Sequence, residues 1–515
     1  MRKSVSNDNL SAVERRKLFP SMALHLSKSR FCSAIQCPKM LWLKQYKPEE
    51  FDDSVMNENV LNTGLEVGDL AMGLFGPYVE VPFSDLSEMV AKTNELLDAG
   101  TNIIAEASFT DGINFCSVDI LIKHGDRKVE IYEVKSSTSV HDIYYYDAGY
   151  QLYVLEKCGY TVEKVCIVHV DNKYVRHGEL ELGKLFAVVD VTDKVKEMQP
   201  EIGDYIAMLQ DYMTQTDEPS REIGQHCFAP YGCGFFDYCT RDWPHPNIFD
   251  IASLQTRSKL KLMEKGIRSF EEVELNEAVK DNYMLQVKHE LHDLPDQINA
   301  EAINKFMDTL TYPLYFLDFE SFQPAIPLYD NSSPYEQIVF QYSLHYIEEE
   351  NGELCHKEFL AYPGDDPRRV VAEHLCKDIP QDVCVLAYNM GFEKGRIKRL
   401  AELYPDLKDH LMNIHDNIKD LMVPFRNKDY YNRTMKGSYS IKYVLPALFP
   451  DDPSLDYHNL EGVHNGAEAA ATFAAMAEME SAELEEYREH LLKYCELDTY
   501  AMVKIWKKIN TIIGE

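Results

Sequence analysis

Long apolar runs are absent from this sequence. No stretch of about 18 uncharged apolar residues occurs, so we predict no membrane-spanning helix and no membrane partner. The first residues, Met1–Ser4, lead into polar sequence and not into the apolar region of a secretory signal. We therefore expect a cytoplasmic protein.

Positive charge is scarce. Lysine and arginine number 52 against 85 aspartates and glutamates, which gives a formal net charge of −33. This balance argues against a nonspecific, wholly basic nucleic-acid binder. It does not exclude a nuclease, because nuclease sites gather carboxylates that a metal must neutralise before phosphate can approach. Any path for DNA is then expected to be a local basic strip on an acidic body.

The chain is too long for one ordinary domain, since 515 residues suggest about two to four. Residues 260–267 resemble the turn of a helix–hairpin–helix DNA-backbone binder, and a plain connector helix ended by glycine is the alternative. The pattern of apolar residues and the positions of structure-breaking residues predict four parts. These are a tail (1–24), an α/β domain (25–245), a helical connector (246–310) and a second α/β domain (311–515).

A first group of polar residues lies in the N-terminal α/β region. Glu133 and Lys135 are two residues apart on a predicted strand, so their side chains point to the same face. Asp119 on the preceding strand adds a second carboxylate, and Gln151 follows on a helix. Phosphodiester cleavage needs carboxylates that hold a divalent metal and a lysine that stabilises the developing charge. The isolated Glu-x-Lys is common on exposed strands as an ion pair, so the prediction depends on the ordered set.

This ordered set resembles the PD-(D/E)xK nucleases, in particular the RecB-like branch, in which a trailing helix of the Gln-x-x-Tyr type is typical. The resemblance implies that Asp119 and Glu133 are metal ligands and that Lys135 is catalytic. Gln151 and Tyr153 would then orient the site. The branch usually carries a histidine in an early helix after a glycine. Here Glu66 stands in that region, either as an extra carboxylate ligand or as a solvated helix charge.

Twelve cysteines in a reducing compartment are expected to be thiols or metal ligands. Cys227, Cys233 and Cys239 recur at six-residue intervals, and Cys37 precedes Pro-Lys near the start of the domain. One distant cysteine followed by three resembles the iron–sulphur nucleases of the RecB-like branch, including the CRISPR spacer-acquisition nucleases. That resemblance implies a [4Fe–4S] cluster stapling the domain ends, with Cys32 as a competing ligand for Cys37. Zinc uses the same ligands and is the alternative.

A second group of polar residues lies in the C-terminal α/β region. Asp318 and Glu320 share one face at the end of an apolar strand, where carboxylates are costly unless they bind cations. Glu393 follows a strand–helix junction that includes Asn389. Tyr494 and Asp498 lie four residues apart, on one face of a helix, in a separate segment near the C-terminus.

These blocks, in this order, resemble the DEDD exonucleases of the RNase H-like fold, and the tyrosine is typical of the DEDDy subgroup. The resemblance implies that Asp318, Glu320 and Asp498 are metal ligands and that Tyr494 positions the attacking water. Glu393 stands where the subgroup has aspartate. A longer side chain could still reach a metal, and Asp420 is a substitute candidate.

Segments 437–442 and 464–469 also resemble parts of a bacterial fusion family of unknown function that joins these two modules. We therefore predict an α/β protein with a PD-(D/E)xK restriction-endonuclease-like domain, a helical connector and an RNase H-like DEDD exonuclease domain. The expected function is exonucleolytic, Mg²⁺- or Mn²⁺-dependent hydrolysis of single- or double-stranded DNA, in repair or in defence against foreign DNA. The alternatives are a nucleic-acid-binding scaffold with one or both sites inactive and an RNA-directed exonuclease.

Overall fold

The protein has a mixed α/β architecture, as the sequence predicts. The computed structural model describes residues 25–55 and 58–514, with the side chains of 58–61 left out. The tail predicted over residues 1–24 lies outside the described residues. None of the helices in the described part of the chain combines the length and the apolar character that a bilayer crossing requires.

The chain forms two compact units. The N-terminal unit comprises the described part of Met1–Asp242 together with Ala325–Tyr335. The C-terminal unit comprises Trp243–Pro324 and Glu336–Glu515. The residues predicted to be a connector therefore group with the C-terminal unit.

A seven-stranded mixed sheet forms the centre of the N-terminal unit. Its strands are β1 (Leu26–Ser27), β2 (Val79–Glu80), β3 (Ile103–Thr110), β4 (Asn114–Gly125), β5 (Lys128–Lys135), β6 (Thr161–Val170) and β7 (Phe186–Asp190). They follow the order β2-β3-β4-β5-β6-β7, and β1 pairs with the first residues of β4. Strands β3, β4 and β5 are antiparallel neighbours, whereas β5 and β6 run parallel because a helix connects them.

Helices flank this sheet and contribute to its apolar core. They are α1 (Lys28–Gln36), α2 (Lys39–Tyr46), α3 (Glu58–Met72), α4 (Leu86–Asp98), α5 (Asp142–Lys157), α6 (Leu182–Leu185), α7 (Thr192–Glu197), α8 (Gln199–Tyr212) and α9 (Phe236–Thr240). Helix α5 is the β5–β6 crossover and is unusually buried, with Ala148, Gly149 and Leu152 all inside. Gly149 allows close packing here, because a Cβ at this position would clash with the end of the Ile202 side chain.

A late segment of the chain completes the N-terminal unit. Arg176 exchanges backbone hydrogen bonds with it, donating to Ser332 at 3.0 Å and accepting from Asn331 at 2.8 Å. The Arg176 guanidinium also donates to the Leu328 carbonyl at 2.9 Å. These contacts hold residues 325–335 against a loop that follows β6.

The C-terminal unit is built on a five-stranded sheet in the order β11-β10-β9-β12-β13. Its strands, with a separate two-stranded pair β8–β14, are β8 (Gln297–Ile298), β9 (Leu314–Phe322), β10 (Ile338–Ile347), β11 (Cys355–Leu360), β12 (Cys384–Ala387), β13 (Ile418–Asp420) and β14 (Tyr430–Tyr431). Strands β9, β10 and β11 are antiparallel, and β9, β12 and β13 are parallel. Strand β9 is central and almost wholly buried, so a polar residue on it requires a partner.

Helices cover both faces of this sheet, in two apolar clusters, and further helices form the segment that precedes it. The helices of this unit are α10 (Thr256–Glu264), α11 (Phe270–Leu275), α12 (Asp281–His292), α13 (Ala300–Met307), α14 (Arg368–Asp378), α15 (Gly391–Leu403), α16 (Lys408–Asn417), α17 (Val423–Arg426), α18 (Ile441–Leu448), α19 (Gly466–Ala475) and α20 (Ser481–Gly514). The predicted connector is helical and has a small core of its own around Phe270 and Val287. Gly266 ends α10 with a φ of +78°, as a glycine after a helix does.

Candidate functional site

The polar residues predicted on β4 and β5 come together where the last residues of β5 lie beside the middle of β4. Ile120 on β4 pairs with Tyr132 on β5, and the two strands are antiparallel. One residue further along this register, Asp119 lies opposite Glu133. The Val134 amide donates to Asp119 Oδ2 at 2.6 Å. Lys135 shares a face with Glu133, as strand alternation predicts, and its Nζ lies 2.7 Å from Glu133 Oε1. We call this group the Asp119 site.

Two further charged residues, which the sequence analysis missed, belong to the Asp119 site. Lys28, on α1, places its Nζ 2.7 Å from Glu133 Oε1 and 3.9 Å from Asp119 Oδ1. Asp147, on α5, accepts from Lys135 and lies 3.6 Å from Lys28 Nζ. Asp147 had a detectable signal, because it precedes Gln151 by four residues and so shares its helix face. Lys28 had none, since its partner Glu133 is 105 residues away.

Of the two residues predicted to orient the site, Gln151 reaches it and Tyr153 does not. Gln151 is fully buried, and its Nε2 donates to Glu133 Oε2 at 2.6 Å. Tyr153 lies two positions further on the helix and therefore points elsewhere. Its ring packs beside Gly203 and lies 5.2 Å from the Lys157 ammonium. The site residue that shares the helix face of Gln151 is Asp147, not Tyr153.

Glu66 is exposed on α3, and in the described part of the chain no hydrogen bond or ion pair joins it to Asp119 or Glu133. The additional carboxylate near the site belongs to Glu106, on β3. Its neighbours pair as Ala105–Ile120 and Ala107–Val118, so Glu106 faces Asp119 across the strands. Glu106 has a φ of +55°, a strained conformation for a non-glycine residue that is often found at functional sites. A glutamate inside the apolar run of β3 was the signal for it.

Electrostatics divide the carboxylates of the Asp119 site into two classes. Burial and Asp119 act to raise the pKa of Glu133, but Lys135 and Lys28 lower it below its ordinary value. Burial raises the pKa of Asp119 and that of Glu106, the latter to about 7. At neutral pH the site therefore holds an ionised Glu133 between two ammonium groups, beside carboxyl groups that a further cation would help to ionise.

The four predicted cysteines line one small cavity in the N-terminal unit. Cys37, Cys227, Cys233 and Cys239 all contribute to its wall. Burial raises the pKa of Cys227 to about 11, and the proximity of the other three thiols adds to this effect. Cys32 lies elsewhere, because the charges that act on it are Asp147 and Lys135 of the Asp119 site. The cavity therefore contains Cys37 and not its competitor.

Polar contacts hold the two distant parts of the chain together around this cavity. Gln36, at the end of α1, donates from Nε2 to the carbonyls of His226 and Tyr231, both at 2.8 Å. Lys39, which is buried, pairs with Glu218 at 2.7 Å. The residues adjacent to Cys37 thus bind the loop that carries the other cysteines. The four thiols fit a thiolate-ligated metal or cluster, which would close the unit at both ends.

Three carboxylates of the C-terminal unit form a tight group, as predicted. Asp318 and Glu320 lie on β9, and Asp498 lies on α20. One ligand oxygen from each lies within 4.8 Å of the others. Burial raises the pKa of Asp318 and of Glu320, and the nearby Asp498 raises both further. Three acidic groups this close and this buried repel one another unless protons or cations neutralise them. We call this group the Asp318 site.

Two tyrosines hold Asp498 in this group. Tyr457 donates to Asp498 Oδ1 at 2.6 Å, and Tyr494, one helical turn away on α20, lies close enough to influence the pKa of Asp498. Burial raises the pKa of Asp498 to about 6, and both hydroxyls oppose that rise. Tyr494 was predicted. Tyr457 lies in an irregular segment between α18 and α19 and had no recognisable signal in the sequence.

Glu393 lies at the edge of the Asp318 site, whereas Asp420 is engaged by the backbone. Glu393 is 2% exposed in the first turn of α15, and its Oε2 has no hydrogen-bond partner. Its charge acts on Asp318, and burial raises its own pKa to about 8. Asp420 accepts hydrogen bonds from the amides of Asn389 and Met422, at 2.9 and 3.1 Å. Asn389 has a φ of +70°, which turns the chain from β12 into α15.

The two segments noted only for their likeness to a fusion family also approach this site. Lys442, in the first turn of α18, places a positive charge where it lowers the pKa of both Glu320 and Asp498. Gly466 begins α19, and a Cβ there would lie 3.5 Å from Glu320 Oε2. The donor set fits a divalent cation with oxygen ligands, because it offers three clustered carboxylates and a buried, unpartnered oxygen of Glu393.

Comparison with known protein families gives a match in the C-terminal unit. Residues 315–440 match the profile of a family described as "Domain of unknown function (DUF2779)". The matched residues include Asp318, Glu320 and Glu393 and end before α20 begins. No solved structure matches the chain.

Three similar bacterial proteins are described as uncharacterized. The chain is 26% identical over 243 residues to "Uncharacterized protein UU173" of Ureaplasma parvum, which covers 42% of this chain and 34% of that protein. It is 28% identical over 230 residues to "Uncharacterized protein MG366" of Mycoplasma genitalium, and this match covers 41% of this chain and 34% of that protein. A homologue of MG366 in Mycoplasma pneumoniae is 26% identical over 205 residues. The chain thus spans about a third of the length of the relatives that it matches.

Proposed function

We propose that this protein is a metal-dependent nuclease that hydrolyses phosphodiester bonds of DNA. The observation that carries the proposal is the Asp318 site, in which one oxygen from each of three carboxylates lies within 4.8 Å of the others and the Tyr457 hydroxyl hydrogen-bonds to Asp498. When bound there, Mg²⁺ or Mn²⁺ lowers the pKa of a coordinated water and neutralises the charge of a phosphate.

The side chains of the Asp318 site have complementary parts in this chemistry. Asp318, Glu320 and Asp498 would hold the cations, and Glu393 extends the acidic surface at the edge. Tyr494 would orient the attacking water, because its hydroxyl already lies against Asp498. The positive charge of Lys442 faces the same carboxylates and would attract the phosphate. The mixed sheet, with three antiparallel strands and two parallel ones, is compatible with an RNase H-like DEDD exonuclease domain.

The Asp119 site supports a second nuclease centre of the PD-(D/E)xK type. Asp119 and Glu133 face each other on paired strands and would hold a divalent cation. Lys135 would stabilise charge on the phosphate, and Gln151 fixes the free oxygen of Glu133. The Lys28 ammonium lies against the same two carboxylates, so a bound cation would compete with it.

The four-cysteine cavity would hold a [4Fe–4S] cluster, with zinc as the alternative. The four predicted cysteines together line this cavity, and the resemblance to the iron–sulphur nucleases favours the cluster. Zinc takes the same four thiolates. Anaerobically purified protein is expected to be brown and to contain iron, and a colourless protein with one zinc would overturn the assignment.

The test of the proposed function is cleavage of end-labelled substrates by the full chain. Single-stranded DNA, double-stranded DNA and RNA of matched sequence are incubated with Mn²⁺ or Mg²⁺. Asp318→Asn and Lys135→Ala, separately and together, are compared with Glu486→Gln and Lys194→Ala, which alter exposed residues of the same units. Each site variant is expected to lose at least about 100-fold of the cleavage that depends on its site.

The products assign the two sites. We expect the Asp318 site to release mononucleotides. If Asp318→Asn loses these products and Lys135→Ala retains them, the exonuclease activity belongs to the Asp318 site. Binding without metal-dependent cleavage by the wild type would favour the scaffold alternative and overturn the nuclease. Preferential cleavage of RNA would favour the RNA-directed alternative.

A further inference from the structure

A second group of metal-ligand side chains in the C-terminal unit contains two histidines. His345 on β10 lies directly opposite His356 on β11, and the two rings stack with centroids 4.4 Å apart. Glu496 on α20 completes the group, with one carboxylate oxygen 3.9 Å from His356 Nδ1. One ligand atom from each of the three residues lies within 4.8 Å of the others. None of the three belongs to the Asp318 site.

Hydroxyl groups hold one nitrogen of each imidazole. His345 Nδ1 lies 2.8 Å from Thr499 Oγ1, and His356 Nε2 lies 2.9 Å from Ser343 Oγ. The two hydroxyls are themselves 2.6 Å apart. Metal-ligating histidines commonly have this arrangement, in which a second-shell partner fixes the ring through the nitrogen that does not ligate.

The network admits an arrangement of protons that leaves one nitrogen of each ring available to a metal. In it, Thr499 Oγ1 donates to the carbonyl of Glu496 at 3.1 Å and accepts from Ser343. Ser343 Oγ then accepts from His356 Nε2–H, and Thr499 Oγ1 accepts from His345 Nδ1–H.

In this arrangement both imidazoles have a lone pair on the other nitrogen. These are Nε2 of His345 and Nδ1 of His356, and the latter faces Glu496. A neutral imidazole is the form that binds metal.

We propose that His345, His356 and Glu496 form a binding site for a divalent transition metal that prefers imidazole, with Zn²⁺ as the reference ion. Two histidines and one carboxylate suit Zn²⁺, Co²⁺ and related ions better than Mg²⁺, which prefers oxygen ligands. Glu496 is about half exposed, so solvent can supply the remaining ligands. The ion would tie α20, which carries Tyr494 and Asp498, to strands β10 and β11. The proposal is independent of nuclease activity.

The test is binding of Co²⁺ to the 515-residue chain, in excess Mg²⁺ to saturate the carboxylate-only sites. We expect visible d–d bands without the near-ultraviolet charge transfer of thiolate–cobalt bonds, and displacement of these bands by Zn²⁺. Glu496→Gln and His356→Gln should abolish this signal. Thr499→Val, which keeps the size of the side chain, should weaken binding about 10–100-fold. His292→Gln is the control, because it removes an exposed imidazole that lies 2.9 Å from a glutamate, Glu274.

Two results would overturn the proposal. One is a wild-type protein in which all bound Co²⁺ shows thiolate charge transfer, since the cysteine cavity would then account for the metal. The other is a thiolate-free signal whose dissociation constant is unchanged in Glu496→Gln and His356→Gln. Circular dichroism of the variants checks that they fold, and Glu496→Gln is the least disruptive because its side chain is at the surface.

Discussion

The Tyr457 hydroxyl donates a 2.6 Å hydrogen bond to Asp498 Oδ1 across 41 residues of sequence. This bond stabilises the ionised form of a buried carboxylate whose pKa burial raises to about 6. Tyr457 is thus a positioning residue for the Asp318 site, which it reaches through Asp498. Its removal has consequences that differ from those of removing a metal ligand.

Tyr457→Phe is expected to raise the pKa of Asp498 and to weaken its affinity for cations. A hydrogen bond to a charged group contributes about 1.5–3 kcal/mol, so the Mn²⁺ concentration for half-maximal cleavage should rise by roughly 10–150-fold. Activity should recover at higher pH or higher Mn²⁺, because Asp498 remains able to ionise. Tyr443→Phe, which alters an exposed tyrosine, is the control. An unchanged metal requirement would contradict this role.

The metal-free protein is expected to lose stability as the pH rises from about 4.5 to about 8. The folded-state pKa of Glu393 is raised to about 8 from an ordinary 4.5, so the folded state holds its proton more tightly than the unfolded state. Stability is therefore full below the ordinary pKa and is lost as the pH rises through the folded one. Melting temperatures with EDTA should fall over this range, and Glu393→Gln should flatten the slope. A metal-free melting temperature that rises instead would refute the sign.

Added Mn²⁺ should restore the stability lost at pH 8. A cation that binds only the folded state stabilises it by mass action. We expect the restoration to be largely lost in Asp318→Asn and retained in Glu486→Gln. Differential scanning fluorimetry with and without Mn²⁺ measures it, and equal restoration in Asp318→Asn would place the responsible cation elsewhere.

Lys28→Met is expected to destabilise the N-terminal unit by about 1.5–3 kcal/mol, because it removes a charged hydrogen-bond donor to the buried Glu133 while keeping an apolar stem. The midpoint of urea unfolding, followed by a probe in that unit, measures this change. Lys194→Met, at an exposed position, should leave it unaltered. If the variant binds Mn²⁺ more tightly than the wild type, Lys28 competes with the cation.

Tyr231→Ala is expected to weaken the binding of single-stranded DNA. The side chain is 61% exposed and lies near Tyr144, whose ring lies 5.2 Å from the Lys135 ammonium. Stacking of a base on such a ring contributes about 1–3 kcal/mol, so KM should rise by roughly 5–150-fold with little change in kcat. Tyr78→Ala is the exposed control, and iron content should be equal in both. An unchanged KM would exclude stacking at this ring.

Sequence reasoning works best here where local periodicity sets the geometry. Strand alternation places Glu133 and Lys135 on one face, and helix periodicity places Tyr494 and Asp498 together, as the structure has them. Gln151 could be predicted because the helix after β5 must pack beside the sheet. The same motif gives the wrong position for Tyr153, which lies two residues further along the helix. Residues two apart on a helix point in different directions, so Tyr153 does not share the face of Gln151.

The residues that were missed depend on tertiary packing. Lys28 approaches Glu133 only because α1 lies beside α5 in the folded unit, and Tyr457 reaches Asp498 from a three-residue 3-10 turn between α18 and α19. Glu106 was detectable as a charge inside an apolar strand, but its approach to Asp119 depends on a local departure from β conformation. The histidine pair was overlooked because its partners lie on three different elements.

Residues 325–335 belong to the N-terminal unit although they lie late in the sequence, so a single cut in the chain cannot separate the two units. A fragment that stops at residue 242 would lack the partners of Arg176, although all of its own sheet strands would be present. Conversely, a C-terminal fragment would carry eleven residues that belong to a body it does not contain. Neither half is therefore a transferable module. A chimaera of two related chains must therefore take residues 325–335 from the same parent as its N-terminal unit. Otherwise the N-terminal unit of one parent is paired with the segment of the other.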